Sequence, residues 1–203
     1  SKFMKSGRSI NRYSAKFPAL IKKLCRGGLS FVYSAFTNKY GIEMIVFLLE
    51  REGYKNFERD GPGKKRYAIW SGDQSQDKKR KIKKIFNSEE NDDCSQIQII
   101  IGSPAIKEGV SLFRVRYVHI LEMYWNYSRL EQIYGRAVRY CSHKTLKPAE
   151  RNVQIIYYHS YNSLVKRDNE NYLYSIDAYM MYLAEKKKDE NKQFNQLLKS
   201  VSI

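Results

Sequence analysis

Ile97-Gln98-Ile99-Ile100-Ile101-Gly102-Ser103-Pro104 reads as a buried strand that stops abruptly, because four isoleucines in five positions leave almost no polar side and glycine, serine and proline close the run. Upstream of it, Gln76 to Phe86 predicts a helix with Ile82, Ile85 and Phe86 inward and its lysines outward. Tyr67 to Trp70 predicts a strand closed by the turn Ser71, Gly72, Asp73, and Ile42 to Glu52 a helix stopped by Gly53. Leu29 to Tyr33 is the first strand, entered through Gly27 and Gly28. Downstream, Val115 to Leu121 predicts a strand, Ser128 to Cys141 a helix and Val153 to Tyr158 a last strand. Strand and helix alternate, so the fold class is α/β, a mostly parallel sheet of five strands flanked by crossover helices. Beyond residue 160 the alternation ends, and Ser175 to Lys188 and Glu190 to Val201 predict two helices. The expected layout is a basic segment over 1–28, the α/β domain over 29–160 and a helical extension over 161–203. Right-handed crossovers gather the loops at the carboxyl ends of the strands, and that edge is expected to hold the function.

The 203 residues suit one domain, and 42% apolar residues with nine Phe and 17 Tyr suffice for a core, which excludes disorder of the whole chain. No apolar run reaches the ~18 residues of a membrane span, and the basic N-terminus lacks a signal peptide pattern, so a soluble chain is expected. Cys25, Cys94 and Cys141 are odd in number and far apart, which fits a reducing compartment. The chain starts with Ser, as a piece of a longer or processed protein would. Thirty-seven Lys and Arg against 21 Asp and Glu leave a net charge of +16, and this excess favours a polyanionic partner. Residues 1–28 carry eight cations and no acid, and residues 59–87 carry ten cations against three acids. The run at Lys78, Lys79, Arg80, Lys81, Lys83 and Lys84 reads equally well as a solvated helix face.

Gln132-Ile133-Tyr134-Gly135-Arg136-Ala137-Val138-Arg139 carries the sharpest signal. At about 100° per residue, Leu130, Ile133, Tyr134, Ala137, Val138 and Cys141 share one face, and Gln132, Gly135, Arg136 and Arg139 share the other. The bland alternative is an exposed helix whose arginines pair with carboxylates three or four positions away. Neither Arg136 nor Arg139 has an acid at those positions, so the two uncompensated guanidinium forks suit phosphate. A glycine inside a helix costs ~1 kcal/mol relative to alanine, so Gly135 is expected to admit another backbone or a ligand. The loop Gly102 to Leu112 reads either as a plain turn or as a close approach to a sugar-phosphate backbone, and Tyr33-Ser34-Ala35-Phe36 has the same two readings. There is no G-x-x-x-x-G-K-[ST] cradle and no acidic pair after an apolar strand, so the chain is not expected to hydrolyse a nucleotide alone. Cys141 lies near His143, but the other histidines and cysteines are scattered, and no metal site is expected.

The order of these segments resembles the second RecA-like domain of superfamily-2 helicases over essentially the whole chain. Tyr33 to Phe36 resembles motif IV, Gly102 to Leu112 motif V, and Gln132 to Arg139 motif VI. Trp125-Asn126 and Tyr140-Cys141-Ser142-His143-Lys144 look closest to large-DNA-virus helicases related to the poxvirus early transcription factor small subunit and nucleoside triphosphate phosphohydrolase I. The resemblance implies a three-layer RecA-like domain with a helical extension, the motor half of an ATP-dependent helicase or translocase. It implies that Arg136 and Arg139 act as arginine fingers, that Gln132 orients them, and that Gly109 and Ser111 lie beside the nucleotide. Ser34, Phe36, Ser103 and Lys107 would face the nucleic acid, taken to be DNA. ATP and Mg²⁺ would be held mainly by an N-terminal RecA-like domain of the same chain, with viral transcription or replication proteins as further partners and the host cytoplasm and virion as the place. The competing reading is a non-enzymatic nucleic-acid-binding or protein-docking module on the same fold.

Overall fold

The computed structural model describes residues 14–107, 110–160 and 175–201, and of residue 107 the backbone only. Its six strands are β1 (Ser30–Tyr33), β2 (Lys55–Asn56), β3 (Arg66–Trp70), β4 (Ile99–Gly102), β5 (Tyr117–Ile120) and β6 (Gln154–Tyr157). They form one sheet in the order β2-β3-β4-β1-β5-β6, and every neighbouring pair is parallel. β1 is central, with Ser30 opposite both Ile99 and Tyr117, and Tyr33 opposite both Gly102 and Ile120. The sixth strand, beyond the five expected, is the polar pair Lys55–Asn56 at the sheet edge, too short to leave a period in the sequence.

Alternation along the strands sends side chains to two separate cores. On one face Val32, Tyr67, Ile99 and Ile101 pack under α1 (Lys16–Leu24) and α2 (Ile42–Arg51), which contribute Leu20, Leu24, Ile45 and Leu49. On the other, Phe31, Tyr33, Ile100, Val118 and Ile120 pack under α3 (Gln76–Phe86) and α4 (Tyr127–Tyr134), which contribute Ile82, Phe86, Leu130 and Ile133. Each such side chain, fully buried, contributes about 1.5–3 kcal/mol. α1 falls inside the segment read as a basic lead; Lys22 faces water while Leu20 and Leu24 are enclosed.

Buried Asn91 joins α3 to β4. Its Nδ2 donates to the carbonyls of Phe86 (3.1 Å) and Ile97 (2.8 Å), and its Oδ1 accepts from the N–H groups of Gln96 (3.0 Å) and Ile97 (2.9 Å). All four hydrogen-bonding positions of the amide are used, which makes a buried asparagine tolerable here.

Two helix predictions need correction. The helix expected over 128–141 ends at Tyr134 with Gly135 as its cap, and residues 135–145 continue as turns. Val138 and Cys141, expected inside, are exposed, and Ser142 and His143 are buried instead. Cys141 takes a left-handed φ of 59°, which no helix accommodates. The two tail helices are one, α5 (Ile176–Val201), since nothing between them breaks a helix. Its 26 residues extend about 39 Å. Its buried residues, Asp177 and Ala184, lie in the first turns; every residue from 185 to 201 is exposed. Lys16 Nζ anchors the start of α5, donating to Asp177 Oδ1 at 2.7 Å and to the Leu121 carbonyl at 2.9 Å. Among the described residues no helix is long and apolar enough to cross a membrane.

Candidate functional site

At the carboxyl edge the loop after β1 is held from beneath by Glu122, which follows β5. Glu122 Oε2 accepts from Ala35 N at 2.8 Å, and the Ser34 hydroxyl lies 3.1 Å from Oε1 and 3.0 Å from the Phe36 carbonyl, one proton serving two acceptors. Burial pushes the Glu122 carboxyl above its usual range, against the lowering effect of the bonds from Ala35 and Ser34. The Phe36 carbonyl also receives Ile42 N, the first residue of α2, at 2.9 Å. A Cβ on Gly41 would stand 1.9 Å from that carbonyl, so only glycine lets the loop close here. The ring of Phe36 is thereby left outside, half exposed.

A second polar cluster lies at the other end of the sheet. α4 leaves the carboxyl edge and runs back eight residues, about 12 Å, roughly the length of β5. Beyond it the turns of residues 136–143 are fastened to the segment that leads into β5. Leu112 N donates to the Arg136 carbonyl at 2.8 Å, Arg114 N to the Ser142 carbonyl at 3.0 Å, and His143 Nε2 to the Val115 carbonyl at 2.7 Å. His143 Nδ1 lies 2.8 Å from the Ser142 hydroxyl, which itself donates to the Arg139 carbonyl at 2.8 Å. Inside this frame the guanidinium of Arg139 donates from Nη1 to Ser111 Oγ. Among the described residues the ion pairs involve other cations, so Arg139 has a neutral hydroxyl and no carboxylate as partner.

The structure therefore divides what the sequence grouped. Arg139, Ser111 and the backbone of Arg136 come together at the amino end of the sheet, away from the carboxyl edge where the function was expected. Gln132 is exposed on α4. Ser34 and Ser103, expected to face nucleic acid, are buried at 0% and 3% exposure; Ser34 bonds Glu122, and the Ser103 hydroxyl accepts from Ala105 N at 3.3 Å. Both shape loops from within, because a hydroxyl at a strand end satisfies the turn's own N–H groups. Phe36 alone of the four has a described side chain at the surface; Lys107 ends the turn Pro104–Lys107 with its side chain outside the described residues, as Gly109 is altogether. Gly135 also has a local reason. A Cβ there would lie 2.7 Å from the Glu131 carbonyl oxygen, so the glycine relieves the helix's own last turn.

Three contributors were not picked out from sequence. Asn87, the residue capping α3, binds the Ser111 carbonyl and Phe113 N; Glu122 holds the loop of Ser34; His143 fastens the arginine turns. A polar residue directly after an amphipathic helix is a weak signal for Asn87, and nothing local marks the other two. Arg114 is buried beside them with a left-handed φ of 59° and pairs with Asp92. Among the described residues no group of three His, Cys, Asp or Glu side chains could hold a metal ion.

The family profile of the helicase conserved C-terminal domain matches residues 16–141. A protein of Acanthamoeba polyphaga mimivirus named "Putative ATP-dependent RNA helicase R563" is 44% identical over 173 residues, covering 85% of this chain and 29% of its own length. "Putative helicase 087L" of Invertebrate iridescent virus 3 is 35% identical over 207 residues, covering 96% of this chain and 20% of itself. The chain thus spans less than a third of the length of these relatives. Among solved structures, the C-terminal part of the Fun30 ATPase domain superimposes with a TM-score of 0.59 at 20% identity, over 84% of this chain and 45% of that one, and shares the fold.

Proposed function

This chain belongs to the family of helicase conserved C-terminal domains, and from that premise we propose that it is the second motor domain of an ATP-dependent nucleic-acid helicase or translocase of viral transcription or replication. The observation that carries the reading is the pairing of Arg139 with Ser111, which holds a guanidinium in place without neutralising it. Arg136, three positions earlier, is tied to the same loop through its carbonyl. A guanidinium held by a hydroxyl beside this loop, with a second arginine anchored to the same loop through its backbone, suits the oxygens of a phosphate delivered by a neighbouring domain.

In this reading ATP is the substrate and is bound on the first RecA-like domain. Closure brings Arg136 and Arg139 to the charge that develops on the transferred phosphoryl group, an effect worth about 10³–10⁵ in rate for arginine fingers. Gln132 on the exposed side of α4 orients the approach. The basic donor set on this face suits phosphate and does not suit Mg²⁺, so the magnesium that accompanies ATP is assigned to the first domain. The carboxyl-edge loops grip the nucleic-acid backbone, with Phe36 at the surface, Lys107 at the end of the turn Pro104–Lys107, and Ser34 and Ser103 shaping the loops from inside. Because the two clusters sit at opposite ends of the sheet, a change at the arginine end moves the loops at the other as one rigid body, and closure shifts the domain along the strand.

The test is nucleic-acid-stimulated ATP turnover by the full-length protein, run with DNA and RNA strands of one sequence since the mimivirus relative carries RNA in its name. Arg136→Ala is expected to lower turnover at least tenfold with folding intact; unchanged turnover overturns the reading in favour of a non-enzymatic binding module.

A further inference from the structure

A groove of about 510 Å³ runs between the first half of α4 and the projecting half of α5. It starts at Asn126 and Tyr127, where the chain has just left β5, and continues along α5 past Lys187, Lys188, Lys192 and Lys199. Among the described residues Glu131 is the one carboxylate on its wall; the acids of α5, Asp177, Glu185, Asp189 and Glu190, are all absent from it.

We propose that this groove is a second nucleic-acid contact, which takes the phosphodiester backbone of a strand leaving the carboxyl edge. The inference rests on the nucleic-acid reading above. Lys188, Lys192 and Lys199 recur at intervals of four and seven, so they share one face of α5. They span about 16 Å, a length that covers several phosphates of one strand. Asn191, Asn195 and Gln196 lie between them on the groove wall, and such amides donate to phosphate oxygens without reading bases.

The aromatic contacts point the same way. Lys187 Nζ lies 3.7 Å from the centre of the Trp125 ring, and Lys188 Nζ lies 3.8 Å from that of Tyr127. A carboxylate partner would cancel the charge of each ammonium. A ring face fixes its position and leaves its N–H groups and its charge available. The groove begins at Asn126 and Tyr127, where α4 starts after β5, which is the side of the sheet that carries the carboxyl-edge loops.

The experiment measures binding of a labelled 20-nucleotide single strand to the full-length protein between about 50 and 200 mM salt, the range over which phosphate contacts show themselves. In the variant carrying Lys187→Ala, Lys188→Ala and Lys192→Ala the slope of log affinity against log salt is expected to fall by about two, at ~0.7 per phosphate contact on a single strand. Affinity at the lowest salt is expected to drop about tenfold or more. The corresponding triple Arg variant should keep the slope, and if the triple Ala variant does not fold, Lys192→Glu alone should lower it. A steep slope in the native protein that the Ala variant retains overturns the groove and leaves the edge reading standing. No salt-dependent binding by the native protein overturns both. Displacement of the strand by polyglutamate as readily as by unlabelled strand also overturns the proposal, since the groove would then be a site for acidic peptide.

Discussion

The side-chain amide of Asn87 donates to the carbonyl of Ser111 at 2.8 Å, and its Oδ1 accepts from Phe113 N at 2.9 Å. One asparagine at the end of α3 thus clamps the residues on either side of Leu112, whose own N–H is bonded to Arg136. The position of the Ser111 hydroxyl, and through it of Arg139, is set by a helix 24 residues upstream.

Asn87→Ala should leave the Ser111 carbonyl and the Phe113 N–H without this partner and lower stability by about 1–3 kcal/mol in urea denaturation. In the full-length protein its effect on ATP turnover should be non-additive with that of Arg139→Ala. Strict additivity would mean that the clamp does not act through the arginine.

Ser111→Ala removes the neutral partner of Arg139 and no buried charge. Stability should change by less than about 1 kcal/mol, while ATP turnover falls, though less than in Arg139→Ala. Turnover at the native level would separate Ser111 from the positioning of Arg139.

Glu122→Ala takes away the acceptor for Ala35 N and for the Ser34 hydroxyl. The expected cost is about 1–3 kcal/mol, with weaker binding of single strands because the Phe36 loop loses its support. Glu122→Gln, which keeps the shape and one acceptor oxygen, should recover most of both. A binding loss equal in the two variants would point to the charge instead.

Gly135→Ala discriminates between two geometries by sign. In a helix running on to Cys141, alanine would stabilise by about 1 kcal/mol. Here the added Cβ meets the Glu131 carbonyl at 2.7 Å, a backbone atom that cannot swing aside, so the melting temperature should fall. A rise would restore the longer helix.

His119 is buried beside Tyr158, whose hydroxyl lies 2.9 Å from Nδ1. Burial, aided by the charge of Lys23, pushes the imidazole down to about 3. The folded pKa is therefore below the unfolded value of about 6.5, and between the two the unfolded chain takes up a proton that the native state refuses. Stability from this group is present above about pH 6.5 and is lost as pH falls toward 3, by up to about 1.4 kcal/mol per unit. Urea midpoints at pH 7, 6 and 5 should show this slope, and His119→Gln should flatten it; an equal slope in both proteins would assign the acid sensitivity elsewhere.

The α/β class, the strands around Ile99–Ile101 and the helix Gln76–Phe86 were legible because each rests on a period of apolar residues that burial imposes locally. The short strand Lys55–Asn56 was not, since two polar residues carry no period, and the undivided α5 was missed because a polar exposed helix has no apolar stripe to follow. The motif residues were legible as residue types in order, yet their exposure was not: Ser34 and Ser103 turned inward because the hydroxyls serve their own loops.

The sequence by itself determined the alternating plan, the basic excess and the absence of acids beside Arg136 and Arg139, all of which are properties of neighbours along the chain. Only the tertiary structure decided that Ser111 would meet Arg139, that Asn87 would hold Ser111, and that this cluster would lie at the end of the sheet opposite the Phe36 loop. Those contacts join residues 24 and 28 positions apart, and their geometry follows from the parallel sheet, which sends α4 back along β5 before the arginines appear.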